Sequence, residues 1–460
     1  MTSMTLLSLP VEALRDAITG HVSAPGDPDF DDARRAWNLA VDQRPAAVAI
    51  PRTADDVVEI VRFANAHDLY VAPQASGHNV SPIASLQDTI LLRTHELRGV
   101  EIDPVAKRAR VAAGTEWKEV VGPASEYGLA ALSGSSPQIN VVGYTLGGGV
   151  GWLGRKYGLA ANSVLAIEVV TADGQLRRID ADHDPDLFWA LRGGGGNFGV
   201  VTAIEFALHD VGPLVAGLML WPAERAPEVL HAWHELTQTA PDELTTSMRL
   251  LNVPDDPALP EALRGGSFIA IDGAFAGDEA AATAVLAPLR ALEPMMDGWV
   301  PVAPGALSYV HMDPEDAMPT YGGTQMLGEL PSEAIDEFLA LAGPGSGSPL
   351  LMAELRHVGG ALARPHAGHG ATGTFDGEYL MYLGGVPIDA DVATAGRAHI
   401  ERVRSAMARW STGREYLNFV EEPVDASTMF SPEAYPRLRT IRAEFDPDER
   451  FVANHRIPPA

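Results

Sequence analysis

The chain has no cysteine. That absence excludes disulfides, thiolate metal sites, iron–sulfur clusters and cysteine nucleophiles together. Lysine is almost as scarce, with only Lys107, Lys118 and Lys156, so arginine carries nearly all the positive charge. Acidic residues outnumber basic ones by 61 to 33, and the formal net charge is −28. A nucleic-acid backbone or an anionic membrane surface would repel such a chain. Runs of apolar residues are too short for a membrane-spanning helix. The opening "MTSMTLLSLPVEALRD" lacks a basic start and a small-residue cleavage site, so it reads as a short amphipathic lead-in and a cytoplasmic location is the default expectation. No metal is expected. His366 and His369 in "RPHAGHG" have no third ligand nearby and read as an exposed loop. "DADHDPD" lacks the glycine and the terminal glutamate of an EF-hand.

Glycine, by contrast, is abundant, at 45 of 460 residues. The length predicts two or three domains, and 46% apolar with 20% charged residues is a globular composition. Residues 31–50 read as a helix turning into the buried strand "AAVAI". "TADDVVEIVRFANAHDL" has helical spacing and a Thr/Asp start. Then follow a strand "YVAPQ", the loop "QASGHNV", a strand "TILLRT", a hairpin across "VEID" and "RARVAAG", and a helix in "EWKEVVGPASEYGL". "LAIEVVTADGQLRRID" reads as a hairpin with an Asp-Gly turn. The mixture predicts an α+β fold of short strands and hairpins rather than repeated βαβ units. From Pro213 to about residue 410, strands such as "LVAGLMLW", "SFIAIDGAF", "LLMAELRHV" and "EYLMYLGGV" alternate with helices. They predict one large, mostly antiparallel sheet backed by helices, with "LAGPGSGSP" as a connector.

Two stretches fit the pattern G-x-G-x-x-G, "GVGWLG" and "GGGNFG". A dinucleotide fingerprint needs strand, glycines, then helix. Around "GGGNFG" the order is reversed, helix "PDLFWALR" before and strand "VVTAIEFAL" after. Three glycine clusters (74–80, 133–151 and 193–199) could instead wrap one large, flat, phosphate-bearing ligand, because glycine allows close backbone approach and consecutive N–H groups form anion nests.

Five stretches carry a resemblance. They are "RPAAVAIPRTADDVVEIVRFANAHDLYVAPQASGHN", "GYTLGGGVGWLGRKYGLAANSV", "VVTADG", "DLFWALRGGGGNFGVVTAIEF" and "RLRTIRAEFDPDERFVANHRI". In this order and with this gap they resemble the flavoprotein oxidoreductases of the vanillyl-alcohol-oxidase type, in the branch of berberine-bridge enzyme and 6-hydroxynicotine oxidase. The resemblance implies a lead-in at 1–34, a two-part FAD-binding domain of the PCMH type at 35–212 with a return segment at 413–460, and a substrate domain at 213–412. It implies FAD as cofactor, linked covalently through His78 to the 8α-methyl of the flavin. Gln74, Ala75, Ser76, Gly77, Asn79, Ser135, Ser136, Gly143, Gly147, Gly148, Val200, Val201, Asn418 and Asn454 are the further candidate cofactor contacts. Ser136 stands where many relatives carry a second, cysteine link, so a single link is expected. Tyr144 replaces a common histidine, and Gln74 a common arginine. Ile139 falls where relatives vary residue size near the oxygen-reactive face, and isoleucine there would hinder oxygen and favour dehydrogenase behaviour.

The expected reaction takes a hydride from an alcohol or amine carbon of a small organic, secondary-metabolite or sugar-like substrate and passes the electrons to oxygen or another acceptor. Oxidative cyclisation or rearrangement, a flavin-holding protein without turnover and a flavin-free binding module remain alternatives. A homodimer is also open. Alternation in "LLMAELRHV" puts Glu354 and Arg356 on one face with Met352, a carboxylate base beside an orienting arginine, against the alternative of a surface ion pair. Tyr144 and Tyr416 are further catalytic candidates, a tyrosine base needing a lowered pKa. Trp152 and Met352 are the candidate substrate-lining residues.

Overall fold

The computed structural model describes residues 10–83, 85–257 and 260–460. Residues 1–9 of the expected lead-in lie outside this range. The part of it that is described is built into the fold: Leu14, Ile18 and Val22 enter the largest core, and strand His21–Ser23 pairs with Ala47–Ile50.

The helix Ala54–Ala66 forms where periodicity predicts it. Thr53 caps it by accepting from the Asp56 N–H, and the Asp56 side chain returns the bond to the Thr53 N–H. Its apolar stripe, Val57, Ile60, Val61 and Ala64, is fully buried. This helix connects strands Ala47–Ile50 and Tyr70–Gln74, and both run parallel to Thr89–Arg93. The first sheet of four strands therefore contains one crossover unit, beside which His21–Ser23 runs antiparallel to Ala47–Ile50. The predicted hairpins do form the second sheet. Its order is Val100–Asp103, Arg108–Ala112, Val200–Ala207, Val164–Val170, Leu176–Ile179, all antiparallel.

The third sheet has eight strands. Its centre runs Val215–Pro222, Ser267–Phe275, Leu244–Asn252, Met352–His357, Tyr379–Gly385, Tyr321–Leu327, all antiparallel. Helices Ala226–Thr239, Glu279–Arg290, Ser332–Ala342 and Ala390–Met407 cover one face, burying Trp233, Leu286, Phe338 and Val403 against Trp221, Met248, Ile271, Leu355 and Met381. Side chains alternate across a strand. The intervening residues Ser247, Arg249, Asp272, Glu354 and Arg356 therefore point to the opposite face, toward the glycine-rich half of the chain. The last residues return to that half. Phe451 bridges Val71 in parallel, and the Asn197 side chain bonds the His455 carbonyl and the Ile457 N–H.

Candidate active site

One cavity of about 460 Å³ lies between the first two sheets and the polar face of the third. Its walls come from all three glycine clusters, from the Met352–His357 and Tyr379–Gly385 strands and from the returning C-terminal residues.

The loop after Tyr70–Gln74 supplies the first wall. Gly77 has φ +83°, and a Cβ there would lie 2.8 Å from the Gln74 amide and 2.9 Å from Ala36 Cβ. His78 is fixed on both sides. Its Nδ1 bonds Ser76 Oγ at 2.9 Å, and its ring stacks on Trp37 with centroids 4.0 Å apart. The ring borders the cavity, but the protein around it removes most of its hydration, and this burial lowers its pKa to about 3. His78 is thus a neutral imidazole at pH 7, and its Nε2 has no hydrogen-bond partner.

The second wall is the helix Val141–Leu146. Asn140 caps it through the Gly143 N–H at 2.9 Å, and its amide donates to the Ala113 and Thr115 carbonyls. After this helix Gly147 meets the returning chain, where a Cβ would lie 1.8 Å from Asn418 Oδ1. The Asn418 amide donates to the Tyr144 carbonyl and to the Tyr416 hydroxyl, both at 2.9 Å. The Asn454 amide donates to the Asn79 carbonyl.

The floor is charged. The Arg356 Nε donates to Glu354 Oε1 at 2.6 Å, and the Ser247 hydroxyl donates to the same oxygen at 2.5 Å. Burial alone would raise the Glu354 carboxyl, but Arg356, with the Ser247 hydroxyl, holds it below the usual carboxylate range. Glu354 is fully buried, so the alternative of a surface ion pair does not apply. The second oxygen, Oε2, is buried without a partner. Arg356 is held over the Phe419 ring at 5.2 Å.

The cavity brings together Gln74, Ala75, Ser76, Gly77, His78, Asn79, Ser135, Ser136, Gly143, Tyr144, Gly147, Val201, Met352, Glu354, Arg356, Asn418 and Asn454. Four expected residues stand outside its lining. Val200 points to the far side of its strand from Val201, into the core. Gly148 packs near Leu159, Thr372 and Tyr416. Trp152 is buried behind the floor, its ring 5.7 Å from His311. Tyr416 is buried behind the glycine turn, and burial pushes its hydroxyl up to about 12. Burial also raises Tyr144 well above the usual tyrosine value, with Tyr416 adding to the effect and Arg356 only partly opposing it. The lowered pKa that a tyrosine base requires is absent at both positions. His366 and His369 lie in an exposed loop, and no metal-binding cluster is found among the described residues.

Sequence reasoning missed Trp37, Ser247, Arg249, Asp272, His311, Asp313, Tyr382 and Glu421. For three of them a signal existed. Ser247, Arg249 and Asp272 are polar at alternate positions of otherwise apolar strands, which marks a second, non-aliphatic face.

The residues present fit a large polar aromatic cofactor. Both Gln74 amide atoms, His78 Nε2, Asn79 Oδ1 and Glu354 Oε2 are buried without protein partners along this one cavity. At Gly196, also on its wall, a Cβ would meet no protein atom within 4 Å and would intrude only on the cavity. Residues 45–180 match the family of FAD binding domains. The chain therefore carries a FAD binding domain, and over nearly its whole length it is similar to FAD-linked oxidoreductases. Among these, (R)-6-hydroxynicotine oxidase of Paenarthrobacter nicotinovorans is 29% identical, over 96% of this chain and 97% of its own. An uncharacterised FAD-linked oxidoreductase of Bacillus subtilis is 25% identical, over 96% and 97%. The crystal structure of 6-hydroxy-D-nicotine oxidase from Arthrobacter nicotinovorans superposes with a TM-score of 0.82 at 25% identity, covering 96% of this chain and 98% of that one. A berberine bridge enzyme variant shares the fold, with a TM-score of 0.82 at 20% identity over 98% and 99%. The protein thus has a mixed α/β architecture matching structures of the berberine-bridge-enzyme type, and its relatives are FAD-dependent oxidoreductases.

Proposed function

We propose that the enzyme oxidises an alcohol or amine carbon of a small organic molecule, with FAD held in the 460 Å³ cavity and tied to the protein by one bond at His78. FAD bound there supplies a two-electron acceptor for a hydride from the substrate carbon. His78 suits the link because its imidazole is neutral, its Nε2 is free, and Ser76 and Trp37 fix its orientation. Gln74, Asn79, Asn418 and Asn454 supply polar contacts around it, and residues 35–212 with 413–460 form the cofactor-binding half. Glu354 takes the proton of the substrate hydroxyl or amine, and Arg356 fixes the carboxylate while it does so. Oxygen or another small acceptor takes the electrons.

The observation that carries this reading is the buried Glu354–Arg356 pair, 2.6 Å apart, on the wall of the cavity that also holds His78. Two experiments test it. Acid precipitation of the purified enzyme should leave the yellow colour in the pellet, and His78→Ala should release it to the supernatant. Colour that washes out of the wild type would end the covalent proposal. Hydroxylated nicotines, other amines, alcohols and sugars, added without oxygen, should include a compound that bleaches the flavin. Glu354→Gln should slow that bleaching on the order of 10²–10⁴-fold, and a wild-type rate in this variant would remove Glu354 as the base.

A further inference from the structure

Behind Glu354 and Arg356 stands a set of buried charges that the reaction just described leaves unused. Register explains why they meet. Ser247 lies opposite both Asp272 and Arg356, and Arg249 opposite Glu354, so three neighbouring strands gather their polar residues on one face. His311, from the segment between the third sheet's strands, is laid onto this patch with 1% of its side chain exposed.

The bonds around His311 define its protonation. Arg356 Nη2 lies 3.3 Å from His311 Nε2, and a guanidinium only donates. Nε2 is therefore the acceptor, and Nδ1 carries the proton that goes to Asp272 Oδ2 at 2.7 Å. Arg249 fixes this arrangement, donating to Asp272 Oδ2 at 2.6 Å and to the His311 carbonyl at 3.0 Å. Two more carboxylates face Nε2, Glu354 Oε1 at 3.7 Å and Asp313 Oδ1 at 3.8 Å. The Ser135 hydroxyl ties this side together, donating to Asp313 at 3.1 Å and lying 3.4 Å from Arg356 Nη2. Both His311 and Asp313 line the cavity, and Asp313, with 27% of its side chain exposed, is the member of the set nearest solvent.

We propose that His311, oriented by Asp272, is a proton relay that draws the substrate's proton from Glu354 and delivers it to Asp313 at the solvent side. The proposal rests on Glu354 as the proton acceptor. In the first transfer the substrate O–H or N–H bond breaks and a Glu354 O–H bond forms. In the second the Glu354 O–H bond breaks, a His311 Nε2–H bond forms, and the Arg356 contact to Nε2 is given up. The proton then leaves through Asp313 to water, and the imidazole returns to its starting form. Electrons take no part in these steps. The 3.7 Å gap is of the kind that tightens when a ligand closes the site. A purely structural charge cluster would need no path of carboxylates and imidazole leading from a buried group to a partly exposed one.

The first test needs no substrate. In the holoenzyme labelled with ¹⁵N-histidine, the His311 signals, assigned by their loss in His311→Asn, should show a pyridine-type Nε2 and a pyrrole-type Nδ1 near neutral pH. A pyrrole-type Nε2 would overturn the relay. The second test uses whichever amine or alcohol of the panel bleaches the flavin fastest. His311→Ala should slow bleaching on the order of 10²-fold with substrate affinity unchanged, and added imidazole should restore part of the rate. A His311→Ala rate within about threefold of wild type, or a loss that imidazole leaves untouched, would overturn it. If Glu354→Gln bleaches at the wild-type rate, the parent reading fails. If Glu354→Gln is slow and His311→Ala is not, the relay alone fails.

Discussion

Burial confines His357 to its neutral form. Its Nε2 lies 2.9 Å from Arg155 Nη1, and it is 3% exposed. Burial, with Arg155 adding to it, lowers its pKa to about 2. Between about pH 6.5 and about pH 2 only the unfolded chain binds a proton here, so stability falls as pH falls through that window. The slope from one such histidine is about 1.4 kcal/mol per pH unit. His455, lowered to about 4 by burial, adds to it down to that pH. Urea unfolding of His357→Gln between pH 7 and pH 5 should give a pH slope shallower by nearly one proton, and an unchanged slope would contradict the burial argument. At this scale some of the site is legible in the sequence. His78 stands out as the lone bulky residue of a loop of small ones, and Glu354 and Arg356 follow from strand alternation. His311 is not legible, because it sits in an irregular stretch, "YVHMDPED", where no period assigns a face.

The helix Ala54–Ala66 shows how one side chain can hold an element. Asp56 is 3% exposed and accepts from the Thr19 N–H at 2.8 Å, the Arg52 N–H at 2.8 Å and the Thr19 hydroxyl, besides closing the cap with Thr53. Thr53→Ala removes one cap bond and should cost about 1 kcal/mol. Asp56→Ala leaves several buried donors without an acceptor and should cost more, about 2–4 kcal/mol in denaturant unfolding. Equal losses for the two variants would show that the Thr19 and Arg52 bonds contribute nothing. The helix itself is legible from its spacing and its Thr/Asp start. The parallel pairing on either side of it is not, because the shared partner Thr89–Arg93 comes later in the chain and nothing local in two short apolar runs encodes their direction. The same limit hid the floor of the cavity, since the meeting of Ser247, Asp272 and Glu354 depends on the register of three strands.

Across the whole molecule the cavity wall is completed by residues far along the chain, 452–455. The Val71 N–H donates to the Arg450 carbonyl and the Val452 N–H to the Val71 carbonyl, both at 2.9 Å, while Val452, Ala453, Asn454 and His455 form part of the cavity wall. A chain ending after Phe445 should therefore purify without flavin or fail to stay soluble. The check is the ratio of visible to ultraviolet absorbance, and a truncated protein with full flavin content would show that the return segment is dispensable. The broad architecture was legible because glycine clusters and strand patterns change character near residue 213. The joining of residue 71 to residues 450 and 452 is not legible in composition, which carries no signal across so long a stretch of chain.

The central claim is that this cavity presents a substrate to bound flavin over the Glu354–Arg356 floor. The most direct measurement is the visible spectrum of the purified enzyme, recorded without oxygen before and after adding each amine, alcohol or sugar of the panel. A flavin spectrum that one compound bleaches rapidly in the wild type and on the order of 10²-fold more slowly in Glu354→Gln is the predicted result. A colourless protein, or a flavin that no compound bleaches, would contradict it.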